Sequence, residues 1–415
     1  MNKLFTLLLI SLSFSVLAQQ DSLWKKQARI YTPEILLGQT FASNDGFPDR
    51  GKHKQLLFQF GRNHQNNPQE WAQRYKGIKT GVGFGITDFG NLDSLGVAFT
   101  IIPQVEFNAF GSKRFSTVVG LGASYFTKNY DPITNPNNQA VTTDYTWAFR
   151  LFLHYKFYKG NSIDWRIGAG YSHHSNGHTK LLNQGYNSIL FSVSGEVHQA
   201  PKVSERKRIN SLKKSRYKFI DARYGQGFQV LGLAFNKNKP VYTGAITFGN
   251  VYNNSLKIGV GAHYRFYQNY YDYIQDNESL VRDGKEFENF RERPFYYASN
   301  LGIHVNTEFL LNHFGIDITV GYNIYKPGYQ IDWRINEGWD NTPREITDTW
   351  MLGEFNSKYH LKKSISTRMG LKYYLFGTHT YRKQNYYIGA HLNSNLGQAD
   401  FTEVSIGYTY NFRLK

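Results

Sequence analysis

Along most of this chain, apolar and polar residues alternate one for one. Between Ser162 and Ser175, Ile163, Trp165, Ile167, Ala169 and Tyr171 share one parity, and Asp164, Arg166, Gly168, Gly170 and Ser172 share the other. A period of two predicts a strand with one apolar and one polar face. The pattern resumes after a polar loop, with Ile189, Phe191, Val193 and Val197 on one side and Ser188, Ser192, Ser194 and Glu196 on the other. Similar stripes run through Phe115–Tyr125 and Tyr145–Phe157. In the second half they recur at Leu256–Phe266, Phe314–Tyr322, Ile365–Leu375 and Val404–Phe412. Shorter strands are expected near Pro33–Thr40, Gln55–Gly61 and Gly81–Ile86. Another is expected over Ser94–Phe107, with a bulge or break at Pro103. Long polar loops fall at Tyr273–Arg293 and Lys326–Asp348, and short turns are expected at Asn312–His313 and Lys362–Ser364.

These stripes predict an all-β chain. Lys, Arg, Asp and Gly dominate the polar parity, and Tyr, Trp, Phe and Leu dominate the apolar one. With long loops on one rim and tight turns on the other, that is a transmembrane antiparallel β-barrel of the outer-membrane type. A soluble sandwich also alternates, but in lipid only a closed barrel satisfies every backbone group. The strand count is roughly 16, because a barrel of this kind needs an even number. The tally of segments is one higher, and the surplus falls between Tyr217 and Asn250. The pattern is compatible with one large barrel, or with an eight-strand half followed by a second β half.

Composition sharpens this picture. Aromatics make up 17% of the chain, with 31 Tyr and 31 Phe, as aromatic girdles require. There is no cysteine, which excludes disulfides, a Cys-linked lipid anchor and Cys-type zinc sites. Met1–Ala18 reads as an export signal: Lys3, an apolar run from Leu4 to Val16, then Ala18 before the expected cut. No later apolar run is long enough for a membrane-spanning helix. The net charge of +17 favours an anionic partner, and lipopolysaccharide phosphates are one candidate, although solvated loops account for most of the excess. A basic run, Lys202 to Lys218, reads as a connector rather than a nucleic-acid site, because an exported chain meets none. The expected organisation is therefore a signal at 1–18, a barrel half carrying the candidate site at 19–200, a basic linker or turn at 201–217 and a second half at 218–415 whose last strand, with Ser405, Gly407, Tyr410 and Phe412, resembles the assembly signal of outer-membrane barrels.

Continuing the parity count places His173 and Ser175 on the apolar face, at the loop end of the hairpin. Asn187, just across the loop, shares the apolar parity of its own strand. Residues i and i+2 of a strand point the same way, about 6–7 Å apart at Cα. An imidazole can then reach a serine oxygen and ease its attack on an ester. Asn187 could hold the ring tautomer, as Asn does in Cys-His-Asn proteases. A metal site built from His173, His174 and His178 is disfavoured: the last two are four apart but lack the Glu of a zincin motif and lie off any helix. His391, followed by Asn393-Ser394-Asn395, echoes the pattern, but its parity turns it toward a lumen.

These residues resemble the lipid A 3-O-deacylase and acyloxyacyl hydrolase family. Its motif is His-x-Ser-Asn near a strand end, then a loop, then an acidic residue on the next strand. Here it reads His173-His174-Ser175-Asn176, with Asn187 at the last position. The resemblance implies an outer-membrane esterase that removes an acyl chain from lipid A and needs no cofactor. It assigns Ser175 as nucleophile, His173 as general base and Asn176 as the oxyanion-stabilising residue. Asn187 stands where the smaller members carry Glu, which is a departure. A looser likeness covers Thr32–Val197. The second half is similar only to the larger acyloxyacyl hydrolases, for instance at Gln398-Ala399-Asp400-Phe401. The alternative expectation is a non-enzymatic outer-membrane barrel, a pore or structural protein with a vestigial motif. The missing Glu favours it, and the lipid-facing parity of the three residues opposes it.

Overall fold

The computed structural model describes residues 28–198, 212, 214–336 and 356–413. The expected export segment, Met1–Ala18, and most of the basic run at 201–217 lie outside the described residues. Among the described residues no helix is long and apolar enough to cross a membrane. The chain crosses its own length instead in strands.

The first eight strands are β1 (Arg29–Thr40), β2 (His53–Asn63), β3 (Lys79–Asp88), β4 (Val97–Asn108), β5 (Phe115–Phe126), β6 (Tyr145–Lys159), β7 (Ile163–Ser175) and β8 (Tyr186–His198). Each pairs antiparallel with the next, and β8 returns to β1, so the sheet closes on itself. The next eight are β9 (Arg216–Gln229), β10 (Lys239–Tyr252), β11 (Leu256–Tyr267), β12 (Ser299–Leu311), β13 (Phe314–Tyr325), β14 (Ile365–Tyr374), β15 (Gln384–Asn395) and β16 (Gln398–Phe412). They form a second closed ring through the pairing of β16 with β9. The fold is thus two eight-stranded barrels in tandem. The stretch from Tyr217 to Asn250, where the sequence tally ran one too high, holds β9 and β10.

Both rings are apolar outside and charged inside. Ile35, Leu56, Ile86 and Phe191 on the first, and Val260, Ile303, Val404 and Ile406 on the second, are exposed. The opposite parity is buried and polar. In the first lumen Glu34 pairs with Arg150 (3.0 Å) and His154 (2.8 Å), and Arg166 pairs with Glu106 (2.8 Å) and Glu196 (3.3 Å). In the second, Asp317 takes Arg368 (2.6 Å), His391 (3.1 Å) and Lys372 (3.3 Å). Charges out of water are costly unless each finds several partners, and here the shared carboxylates provide them. An eight-strand barrel is just wide enough for its side chains to fill. A polar cavity of about 30 Å³ in the second lumen has room for little more than water.

The longest described connections, 127–144 and 268–298, lie at the Ser175 end, although 396–397 there is a tight turn; the other end carries the tight turns 160–162, 253–255 and 312–313, with 64–78 its longer exception. Two sequence expectations change. Lys362–Ser364 is not a short turn but the last turn of α5, one of five short α-helices among the described residues: α1 (Glu70–Arg74), α2 (Gln268–Gln275), α3 (Pro294–Tyr297), α4 (Tyr329–Asn336) and α5 (Asn356–Ser364). Lys362 and Lys363 there sit at the helix C-terminus, where the dipole favours cations. Pro103 neither bulges nor breaks β4. The register to β5 is the same on both sides of it, and only the pairs at 102 and 103 drop out, since proline has no N–H to give.

The barrels touch at both ends. At the tight-turn end, α1 meets the turn after β10: Asn254 Nδ2 donates to Glu70 Oε2 at 2.8 Å, and Trp71, Ile78 and Val105 pack with Leu311. The other contact lies beside Ser175.

Candidate active site

The β7–β8 register sets His173 directly opposite Asn187, and His174 opposite Tyr186. His173 lies on the outer face and Nδ1 is 2.8 Å from Asn187 Oδ1. An amide oxygen only accepts, so Nδ1 carries the proton and Nε2 keeps its lone pair. That is the tautomer a general base needs. Tyr171, two residues earlier on the same face, donates its hydroxyl to the same Asn187 oxygen at 2.5 Å. Its ring stacks beside the imidazole, centroids 6.4 Å apart and 13° from parallel. Two donors on one oxygen fix which way the amide points. Gly185 completes the cradle. Its φ is +78°, and a Cβ there would stand 2.7 Å from His173 Cε1, so only glycine fits.

Ser175 follows the outward parity and pairs across the ladder with Trp147 of β6. Unlike most outward residues it is only 6% exposed. Its Oγ accepts from the Gly177 N–H at 3.3 Å. Among the described residues no hydrogen bond joins it to His173, although both project from alternate positions of one strand. Bonds of this kind often tighten only when substrate is in place. Thus the structure brings His173 and Asn187 together and leaves Ser175 beside them, unjoined.

Asn176 is held by its own loop. Its Nδ2 donates to Lys180 O (2.7 Å), its Oδ1 accepts from Thr179 N (3.2 Å), and its backbone N–H donates to Asn183 Oδ1 (2.9 Å). An amide group has two N–H bonds, so one remains for another acceptor. His173 and His174 point to opposite faces of the strand and do not converge on one ion. His174 is buried in the lumen, edge-on to Phe89 and Phe126. Those rings and Tyr186 form a stack with centroids 4.5 and 5.2 Å apart. This plug stiffens the inner side of the hairpin whose outer side carries the candidate site. Past Gly177, His178 lines a polar cleft with Asp332 and Asp400 of the second barrel. Burial pushes the Asp332 carboxyl, on α4, above its usual range.

Tyr171, Gly185 and Trp147 were not singled out by the sequence. Tyr171 could have been, since the parity that selects His173 and Ser175 includes it. Its ring made it look like one more member of an apolar stripe.

Residues 48–195 match the family model described as lipid A 3-O-deacylase (PagL). Among solved structures, the outer membrane enzyme PagL is 14% identical, with alignment over 39% of this chain and 97% of that one and a TM-score of 0.29. OprB of Pseudomonas putida is 8% identical over 93% of each chain, with a TM-score of 0.17. OccK11 (OpdR) of Pseudomonas aeruginosa is 9% identical over 94% of this chain and 96% of that one, with a TM-score of 0.20. No curated protein matches.

Proposed function

We propose that this protein is an outer-membrane serine esterase whose first barrel hydrolyses an acyl ester of lipid A. The observation that carries the reading is the outward-facing His173–Asn187 pair, held with its free nitrogen at Nε2, inside the segment that matches the deacylase model. A soluble esterase keeps its triad in a cleft. A substrate that is itself a membrane lipid is reached from the barrel's outer surface, near the rim where acyl ester meets headgroup.

The chemistry follows from the groups present. His173 Nε2 takes the proton of Ser175 as Oγ attacks the ester carbonyl. The negative oxygen that develops is met by the unused N–H of Asn176. The imidazolium then protonates the departing alkoxide, leaving the acyl chain on Ser175. Water, deprotonated by the same nitrogen, releases the fatty acid. Asn187 holds the ring through both halves but stabilises the imidazolium less than a carboxylate would. In this reading residues 1–18 direct export, 19–200 form the hydrolytic half, 201–217 connect, and 218–415 form the second half.

A pore is the competing reading. Lumens crossed by Glu34–Arg150 and Asp317–Arg368 pairs count against it. The test is release of a fatty acid from purified lipid A, read by mass spectrometry, with the parent and Ser175→Ala. The parent should release it. The variant should not, while keeping heat-modifiable gel migration, because its hydroxyl lies near the rim. Equal release by both would remove Ser175 from the mechanism.

A further inference from the structure

We propose that the second barrel completes the hydrolytic site, with Thr402 as a positioning residue that holds the loop following Ser175. The proposal rests on the hydrolase reading of the first barrel. Two cross-strand pairs face each other between the rings: Trp147 with Ser175 on β6 and β7, and Leu392 with Thr402 on β15 and β16. The Trp147 indole N–H donates to Thr402 Oγ1 at 2.9 Å, and that hydroxyl donates to Gly177 O at 3.4 Å. Gly177 has φ +65°, and a Cβ on it would collide with Thr402 and come within 2.9 Å of Leu392 Cδ1. The second barrel therefore sits against the bare backbone two residues beyond the nucleophile.

Further contacts follow along the same loop. The Val230 N–H donates to His178 O at 3.1 Å. Asn236 brackets one residue, accepting from Leu181 N at 2.8 Å and donating to Leu181 O at 2.5 Å. In a lone barrel these backbone groups would be left to water, and the loop would be correspondingly loose.

A tether between two barrels needs no such placement. The contact at the opposite end, α1 against the 253–255 turn, joins the rings far from any candidate chemistry. At this end the contact falls on Gly177, whose N–H is the hydrogen-bond donor to Ser175 Oγ. Thr402 holds the Gly177 carbonyl, on the peptide next to the one whose N–H meets the nucleophile, and so limits how far that glycine can turn. It also closes the Trp147 flank of Ser175, in keeping with the low exposure of a residue whose parity faces outward. Thr402 touches neither the ester nor His173; it acts through Gly177.

The test uses the full-length protein carrying Thr402→Val, Thr402→Ser or Asn236→Ala. Valine keeps the shape and removes the hydroxyl; serine keeps the hydroxyl. The readouts are kcat and KM on lipid A micelles and the rate at which a fluorophosphonate probe labels Ser175. Loss of the hydrogen bond that Thr402 gives Gly177 is worth roughly fivefold in rate. T402V should lower kcat and labelling by about that factor with KM within about twofold, and T402S should restore both. Asn236→Ala, at a half-buried position outside the barrel wall, gives a second reading should T402V fail to fold, and should lower both rates in the same way. An active parent with equally active T402V and Asn236→Ala overturns the role of the second barrel alone. An equal fall in T402V and T402S also overturns it, since packing would then be the cause. A parent that neither hydrolyses nor labels overturns the hydrolase reading, and this proposal with it.

Discussion

The two barrels carry nearly the same polar residues in opposite places. β7 brings His173, Ser175 and Asn176 to the rim; β15 brings His391, Asn393, Ser394 and Asn395. His173 stands on the outer face with Nε2 free of hydrogen bonds among the described residues. His391 is fully buried in the lumen, taking a hydrogen bond from Arg368 Nη2 at Nδ1 (2.8 Å) and giving one from Nε2 to Asp317 (3.1 Å). Both of its nitrogens are occupied, and no substrate reaches it. A strand alternates with period two, so a shift of one residue moves a side chain from one face to the other. One histidine becomes a candidate base and the other a strut, on position alone.

The sharpest way to break this contrast is at Asn187. Asn187→Ala leaves His173 without its orienting partner. Loss of the triad carboxylate costs about 10⁴ in rate when the tautomer is wrong, and the loss of a neutral amide should cost less than that but well over tenfold. Asn187→Glu should match or exceed the parent, since it supplies a negative charge to the imidazolium at a rim position where charge is mild. Initial rates on lipid A micelles at equal folded amounts decide both. Alanine as fast as the parent would show that His173 is not held from this side.

The second test works on the strut. Asp317→Ala leaves Arg368, Lys372 and His391 without a shared carboxylate, and breaking a buried pair costs about 3–5 kcal/mol. The midpoint of heat-modifiable gel migration should fall. The rate per folded molecule should not, because Asp317 lies inside the second lumen. A fall in rate without a fall in stability would mean that the lumen, too, serves the chemistry.

The smallest expected effect is that of Tyr171→Phe. It removes one of the two donors on Asn187 Oδ1, worth about 1 kcal/mol, or roughly fivefold in rate. Steady-state kinetics should show this in kcat. No change would mean that His173 alone is enough to hold the amide.

The facing of His173, Ser175 and Asn187 could be read from the chain because alternation is local and the count needs no partner. The charged lumens were legible for the same reason. Whether the strands made one ring or two was not. That depends on which edge β8 meets, and alternation is the same whether β8 pairs with β1 or β9. Thr402 and Asn236 were invisible as well. Trp147 and Thr402 are 255 positions apart, and nothing local in a threonine on an outward parity marks it as a partner. Gly177 and Gly185 could be seen as loop glycines, but not that each leaves room for one particular neighbour.

The separate closure of the two rings bears on how the protein is assembled. The rings share no strand, so one can be complete before the other exists. Each closing seam joins distant stretches, Ile30 with His198 in the first and Lys218 with Phe412 in the second, and such long-range pairing makes folding slow. The first ring closes between β1 and β8, and the second between β9 and β16. Once the second ring is complete, Leu392 and Thr402 stand as a finished edge against which the loop after Ser175 can set.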